Sequence, residues 1–178
     1  MLGLSGSLKQ TSANTNILKA ISGLAAANIK FTIYQGIDKF PFFRPEYEAG
    51  TEAIIDFRLQ LKEADGVIIC TPEYAFGVPG VLKNALDWLV SSGELNDKPV
   101  IAISASPLPT GGNRAMESLL LTLKALGTQM DGNSSLMIPA VSLKLNKDGQ
   151  LTDEPTWIVL QQIFNHLLET IHTKTNNI

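Results

Sequence analysis

The sequence predicts an α/β protein with a doubly wound, five-stranded parallel sheet, and three observations carry that prediction. Five short apolar runs alternate with longer segments of helical period, the order expected when helices cover both faces of a parallel sheet. Two of the runs, 66–70 and 100–104, are apolar at consecutive positions, as strands buried on both faces are. No linker, charge block, low-complexity stretch or tandem repeat interrupts the 178 residues, a length suited to one domain with a full core. The chain is therefore read as one domain, 1–178.

In chain order, residues 1–5 form the first strand, followed by a polar loop and a helix over 14–27. The second strand is 29–34, and a helix follows at 51–64. The third strand, Gly-Val-Ile-Ile-Cys at 66–70, leads through a proline-bounded loop into a helix at 78–90. The fourth, Val-Ile-Ala-Ile-Ser at 100–104, leads through paired glycines into a helix at 112–126. A fifth strand is expected at 135–141, and a helix over 154–172 closes the order. Trp88 and Leu89 are assigned to the core.

Composition excludes several functions. Fourteen basic residues against 17 acidic ones leave a net charge of −3, which gives no broad positive field for nucleic acid or an anionic membrane. Hydrophobic residues make up 44% and charged ones 17%, too apolar for a disordered chain, yet no apolar run approaches the ~18 residues of a membrane span. Cys70 is the single cysteine, so no intrachain disulfide forms and a reducing compartment is expected. Residues 1–7 lack the basic-then-apolar pattern of an export signal, and the expected location is the cytoplasm.

In an open parallel sheet, ligands bind beyond the carboxyl ends of the strands, where strand order reverses. The loops after the first, third and fourth strands are the places to look for chemistry. The first, 5–15, holds five hydroxyls, the Asn14 amide and Lys9 ahead of a helix. Hydroxyls and backbone N–H groups at a helix start suit a phosphate, because the donors and the helix dipole all point at the anion. Capping by Ser12 or Asn14 is the plainer role, but it accounts for one polar residue and not seven. The loop fits neither G-x-x-x-x-G-K-[ST] nor G-x-G-x-x-G, which argues against a P-loop ATPase and a dinucleotide-type site. The second loop, 71–80, sets Tyr74 and Phe76 between two prolines. It is either a rest for a flat ring or a rigid turn whose aromatics pack on neighbouring helices. In the third, 104–114, Gly111 and Gly112 either let the backbone approach a bound group or simply make the turn.

These loops carry a recognisable pattern: S-G-S-L-K-x-x-S-x-N at 5–14, P-E-Y-x-x-x-x-P-G-x-L-K-N-A-x-D-W at 72–88 and S-A-S-P-x-x-x-G-G-x-R-A at 104–115. N-K-D-G-Q-L-T-D-E follows at 146–154. In this order and spacing the chain resembles the NADPH-dependent FMN reductases of the flavodoxin-like fold, a group that includes quinone, chromate and azo-dye reductases. The resemblance covers nearly the whole chain. It implies a flavodoxin-like sheet of order 2-1-3-4-5, FMN as cofactor and NADPH or NADH as electron donor. It also implies a small-molecule acceptor such as a quinone, azo dye, chromate or free flavin, and a homodimer or dimer-based tetramer. Ser5, Ser7, Lys9, Ser12, Asn14 and Thr15 would surround the FMN phosphate. Pro72, Glu73, Tyr74, Ala75 and Phe76 would face the isoalloxazine, with Ser106, Thr110, Gly111 and Gly112 at its pyrimidine side. The flavin carries the redox chemistry, so no catalytic side chain and no metal are implied. Two departures stand out: Lys9 where the family usually has arginine, and Ala75-Phe76-Gly77 where it usually has an asparagine followed by small or polar residues.

Other polar residues are read as structural. Cys70 ends a buried strand with no histidine near it in sequence. His166 and His172 lie six apart on one helix, roughly 240° around it, and do not make a metal pair. Glu73 and Asp87 fall on a turn and a helix, and Asp87 is a partner for Lys83 one turn back. The aromatic loop 38–43 is expected at a homodimer contact, because a monomer would struggle to keep it from water; the alternative is a loop folded onto its own domain. Against an NAD(P)H-dependent enzyme stand two other classes. A flavodoxin-like electron carrier would resemble a T-x-T-G-x-T loop with a strongly acidic surface, and a non-enzymatic nucleotide-binding regulator is the remaining class.

Overall fold

Successive side chains of a strand point to opposite faces of the sheet, and this sorts the buried residues of the computed structural model, which describes residues 1–9, 11–47 and 50–175. In β3 (Val67–Thr71) and β4 (Val100–Ala105) every residue is buried. Val67, Ile69, Val100 and Ala102 join one core; Ile68, Cys70, Ile101 and Ile103 join the other. The unbroken apolar runs are thus two alternating sets, each with its own layer to fill.

Three helices supply the first core. They are α2 (Glu52–Glu63), α3 (Gly80–Asp87) and α4 (Asn113–Ala125), through Ile54, Phe57 and Leu61, then Leu82, Ala85 and Leu86, then Met116, Leu119 and Leu123. Two supply the second, α1 (Ala13–Ser22) with Ile17, Leu18 and Ile21, and α5 (Glu154–Thr175) with Leu160, Ile163, Phe164 and Leu167. Each of the leucine, isoleucine, phenylalanine and methionine side chains among them contributes roughly 1.5–3 kcal/mol on burial. With β1 (Leu2–Ser5), β2 (Thr32–Ile33) and β5 (Ser135–Ile138) the sheet runs in the order β2-β1-β3-β4-β5, all pairs parallel. The expected doubly wound architecture and strand order are present.

Element ends differ from the sequence expectation for identifiable reasons. α1 stops at Ser22 and not at 27, because Gly23 caps it with its N–H on the carbonyls of Lys19 and Ala20. β2 shrinks from six residues to two, since as an edge strand it pairs with β1 alone. Pro79 precedes α3, which begins at Gly80 and ends at Asp87, shorter than 78–90. β5 ends at Ile138 and not at 141, because Pro139 brings no N–H to the ladder; Ala140 (φ 48°) then turns the chain into a 3-10 turn at Val141–Leu143. α5 runs on past 172 to Thr175.

The aromatic loop 38–43 largely packs on its own chain. Phe40 is buried against Tyr34 and Phe57, and Phe43 meets Trp88 edge-on at 5.3 Å between ring centres. The Pro41 carbonyl accepts from Trp88 Nε1 and Asn84 Nδ2, both at 3.0 Å. Only Phe42, 88% exposed, is left in water. Trp88 and Leu89 are core, and Lys83 pairs with Asp87 as expected.

Ahead of α5, Asp153 does two jobs. Its carboxylate accepts from the Thr156 hydroxyl (2.6 Å) and N–H (3.0 Å), capping the helix, and from Lys144 Nζ (3.0 Å), closing the base of a hairpin in which Leu145 pairs with Leu151. The Thr156 hydroxyl first, then Lys144, hold its pKa at about 2, below the ordinary 3.8. A folded pKa below the unfolded one contributes stability that is complete above 3.8 and lost as pH falls toward about 2. Asp153→Asn should therefore lower the melting temperature near neutral pH, and its difference from the parent should close by about pH 2. A difference that persists in acid would show that the carboxylate charge is not what anchors the helix.

Candidate functional site

β1 has β2 on one side and β3 on the other, so the chain leaves the carboxyl ends of β1 and β3 in opposite directions and a crevice opens between them. There the structure forms a cleft of about 600 Å³ whose wall includes Ser7, Lys9, Ser12, Asn14, Pro72 and Tyr74. All six are residues that the sequence singled out. A larger cleft, about 740 Å³, lies at the opposite end of the sheet around Met1, Lys30 and His172, away from all three loops. It has neither a hydroxyl cluster nor a helix N-terminus, so size alone does not mark the site.

The first loop turns hard against β3. The Gly6 N–H donates to the Cys70 carbonyl at 2.8 Å, and a Cβ at Gly6 would come within 2.8 Å of Thr71 Oγ1, so only glycine fits. Ser5 Oγ and Thr15 Oγ1, 2.8 Å apart, tie the strand end to the first turn of α1. Ser12, at φ −66° and ψ 136°, caps α1 by accepting from the Asn14 N–H at 3.2 Å, and Ser7 Oγ accepts from the Lys9 N–H at 3.3 Å. A hydroxyl that accepts keeps its own hydrogen, so Ser7 and Ser12 can each still donate to an anion. The N–H groups of Leu8, Ala13 and Thr15 have no acceptor among the described residues. Hydroxyl hydrogens, amide hydrogens and the positive end of a helix thus converge, a donor set that fits a phosphate.

Asn14 has a role that sequence did not reveal. Its Oδ1 accepts from the Cys70 thiol at 3.3 Å and its Nδ2 donates to the Ala105 carbonyl at 3.4 Å, joining the head of α1 to β3 and β4. Burial pushes the Cys70 thiol pKa far up, which fits a structural cysteine and not a nucleophile.

In the second loop, the N–H of Tyr74 donates to the Gly77 carbonyl and the N–H of Gly77 to the Tyr74 carbonyl, both at 3.0 Å. The two residues between, Ala75 (φ 48°) and Phe76 (φ 63°), are both left-handed. This is a two-residue hairpin turn of the kind that asparagine-glycine ordinarily makes, built here from residues for which the conformation costs about 1–2 kcal/mol each. Neither aromatic is buried against a helix: Tyr74 is 57% exposed and Phe76 81%.

Glu73 points elsewhere. Its Oε2 accepts from the N–H groups of Arg114 (2.9 Å) and Ala115 (3.0 Å), capping α4 where Gly112 has no side chain to do so. One oxygen of its carboxylate is thereby committed to the helix. Gly111 (φ 64°) and Gly112 (φ 80°) are both left-handed, and Ser104 Oγ donates to the Gly111 carbonyl at 2.7 Å, pinning the third loop to β4. Ser106 Oγ accepts from the Leu108 N–H at 3.1 Å, and Thr110 is exposed.

Ser5, Thr15, Glu73, Ala75, Phe76, Ser106, Thr110, Gly111 and Gly112 lie outside the wall of this cleft. Sequence reasoning passed over Asn16, Lys19 and the hairpin residues Asn146 to Gly149, which line it. The N-K-D-G-Q motif was the available signal. No group of three or more metal-ligating side chains occurs among the described residues, and no described helix is long and apolar enough to cross a membrane.

Known proteins are similar to this chain along most of its length. The profile of the NADPH-dependent FMN reductases matches residues 1–142. An NADH:(hydroxy)cinnamate reductase subunit of Vibrio ruber is 29% identical over 170 residues, 94% of this chain and 84% of that one. An NAD(P)H-dependent FMN reductase of Pseudomonas aeruginosa is 31% identical over 166 residues, 91% of this chain and 89% of that one. A quinone reductase of Escherichia coli K12 is 30% identical over 162 residues, 86% and 85% of the two chains. The flavoenzyme NAD(P)H:(acceptor) oxidoreductase FerB of Paracoccus denitrificans superposes with a TM-score of 0.85 over 97% of this chain and 96% of its own, at 27% identity.

The strained turn yields its own test. Replacing Ala75-Phe76 with Asn-Gly should stabilise the fold by about 1–2 kcal/mol in urea unfolding, because both positions then hold residues suited to the left-handed region. A loss of stability would mean that the two side chains make contacts outweighing the strain.

Proposed function

The chain belongs to the NADPH-dependent FMN reductase family, and from that premise we propose how its residues divide the work of an NAD(P)H-dependent FMN oxidoreductase. FMN, when bound, supplies the hydride-accepting and hydride-donating ring that no side chain here provides. Ser7 and Ser12 donate hydroxyl hydrogens to its phosphate, Leu8, Ala13 and Thr15 offer N–H groups, and Lys9 offers charge, while Ser5 and Asn14 hold that loop in shape. Pro72 and Tyr74 wall the ring end. Glu73 fixes α4, so that Ser106, Thr110, Gly111 and Gly112 stand at the pyrimidine side, with Ala75 and Phe76 at the rim. The observation that carries this assignment is one cleft lined both by the anion cradle of Ser7, Lys9 and Ser12 and by Pro72 with Tyr74.

The acceptor is a small molecule. Relatives are named for quinones, (hydroxy)cinnamate and FMN, and the exposed rings of Tyr74 and Phe76 favour flat aromatic compounds. We place the protein in the cytoplasm, as one unit over 1–178, without nucleic-acid or membrane partners. The exposed Phe42 and Phe76 support a homodimer or dimer-based tetramer. Light scattering at micromolar concentration should give at least twice the chain mass with flavin bound, and a single-chain mass would remove the assembly.

Turnover is tested directly. Anaerobic mixing of FMN-loaded protein with NADPH or NADH should bleach the oxidised flavin band at about 450 nm. Initial rates at several acceptor concentrations should give parallel double-reciprocal lines, because donor and acceptor use one open face in turn. Phe76→Gly should raise kcat/KM for bulky acceptors over flat ones. Failure to bleach with either nicotinamide would leave an FMN carrier and not an enzyme.

A further inference from the structure

The hairpin between Lys144 and Asp153 rests on the second core through Leu145 and Leu151, and beyond them its tip is firmly built. Asn146 Oδ1 accepts from the N–H groups of Asp148 (3.0 Å) and Gln150 (2.9 Å), its Nδ2 donates to Gln150 Oε1 (2.9 Å), and the Gly149 N–H donates to the Asn146 carbonyl (3.0 Å). The Lys144–Asp153–Thr156 anchor closes its base. Its tip presses on α1. Gly149 (φ 77°) sits so near Asn16 that an added Cβ would collide with the Asn16 side-chain amide. Lys19 is three residues beyond Asn16 on the same helix face.

Lys9 from the first loop, Lys19 from α1 and Lys147 from the hairpin tip therefore border one cleft. None of the three pairs with a carboxylate among the described residues. Among the described residues Asp148 is the one carboxylate in the wall, so the described wall carries an excess of two positive charges on a chain whose net charge is −3. A phosphate monoester near neutral pH carries about −1.5 to −2. Charge and count match.

We propose that Lys19 and Lys147 act with Lys9 as the counter-charges of the flavin phosphate, the 144–153 hairpin being the arm that holds Lys147 there. The proposal rests on the assignment of FMN to this cleft. A lysine is a point charge without the planar fork of arginine. Here the hydroxyls and helix amides supply direction, and three ammonium groups from separate elements supply charge. The hairpin thereby becomes part of the cofactor site and not a connector into α5.

The test is titration of flavin-free, full-length protein with FMN and with riboflavin, which lacks the phosphate. Lys19→Gln with Lys147→Gln should weaken FMN binding about tenfold, as expected for two partly exposed ionic contacts. Riboflavin affinity should not change, and the dependence of FMN affinity on salt should flatten. Lys19→Arg with Lys147→Arg should restore FMN affinity, which a merely structural role would not predict. Equal weakening of both flavins, or unchanged FMN affinity, overturns the proposal, as does a change confined to the KM for NADPH. If the parent protein itself binds FMN and riboflavin equally, the phosphate assignment fails. If the parent prefers FMN and the glutamine variant keeps that preference, only the lysine assignment fails.

Discussion

Parallel pairing of β1 with both β2 and β3 is the constraint from which the rest of the site follows. A strand paired on both edges is fixed in register, Leu2 against Thr32 on one side and Val67 on the other. The chain must then wind one way to reach β2 and the opposite way from β3 onward. Strands lie about 4.8 Å apart, so the loops leaving β1, β3 and β4 are crowded together whatever their sequence, and no helix can cross between the first two. Ser7, Lys9, Ser12 and Asn14 of the loop after β1 line the resulting gap.

Within that gap the fold uses its polar side chains twice. The Ser12 hydroxyl that could meet an anion also caps the start of α1, the Ser7 hydroxyl braces the loop, and Asn14 ties that helix to two strands. Glu73 reaches out of the loop after β3 to cap α4. A truncation at any of these positions would disturb geometry as well as affinity, so a comparison of two ligands that differ by one group is more informative than a loss of binding alone. The Ala75-Phe76 turn shows the opposite arrangement: strain in the backbone, with both flanking rings turned outward.

How much of this was legible in the sequence depended on how far each cause lay along the chain. β3 and β4 were readable because their burial is written in consecutive apolar residues, and the loop after β1 because five hydroxyls, the Asn14 amide and a lysine crowd into eleven residues. The ends of α1 and β5 were set by a Gly23 cap and by Pro139, signals present but weaker than the apolar pattern. The roles of Asn14 and Glu73 were not readable. Their partners, Cys70, Ala105, Arg114 and Ala115, lie some 40 to 90 residues away, and nothing local marks the pairing. The hairpin beside α1 was noticed as a motif, but only the meeting of Gly149 with Asn16 gives it a place.

The burial of Cys70 has a consequence for chemical durability. Quinones and related acceptors are electrophiles that add to free thiols, and an enzyme handling them is exposed to covalent self-damage. This chain contains one sulfhydryl, and it lies between the sheet and α1 with no solvent exposure, its hydrogen held by Asn14. Burial keeps it in the unreactive protonated form. The same contact that seats the head of α1 therefore also shields the chain's only thiol from alkylation by electrophiles in solution.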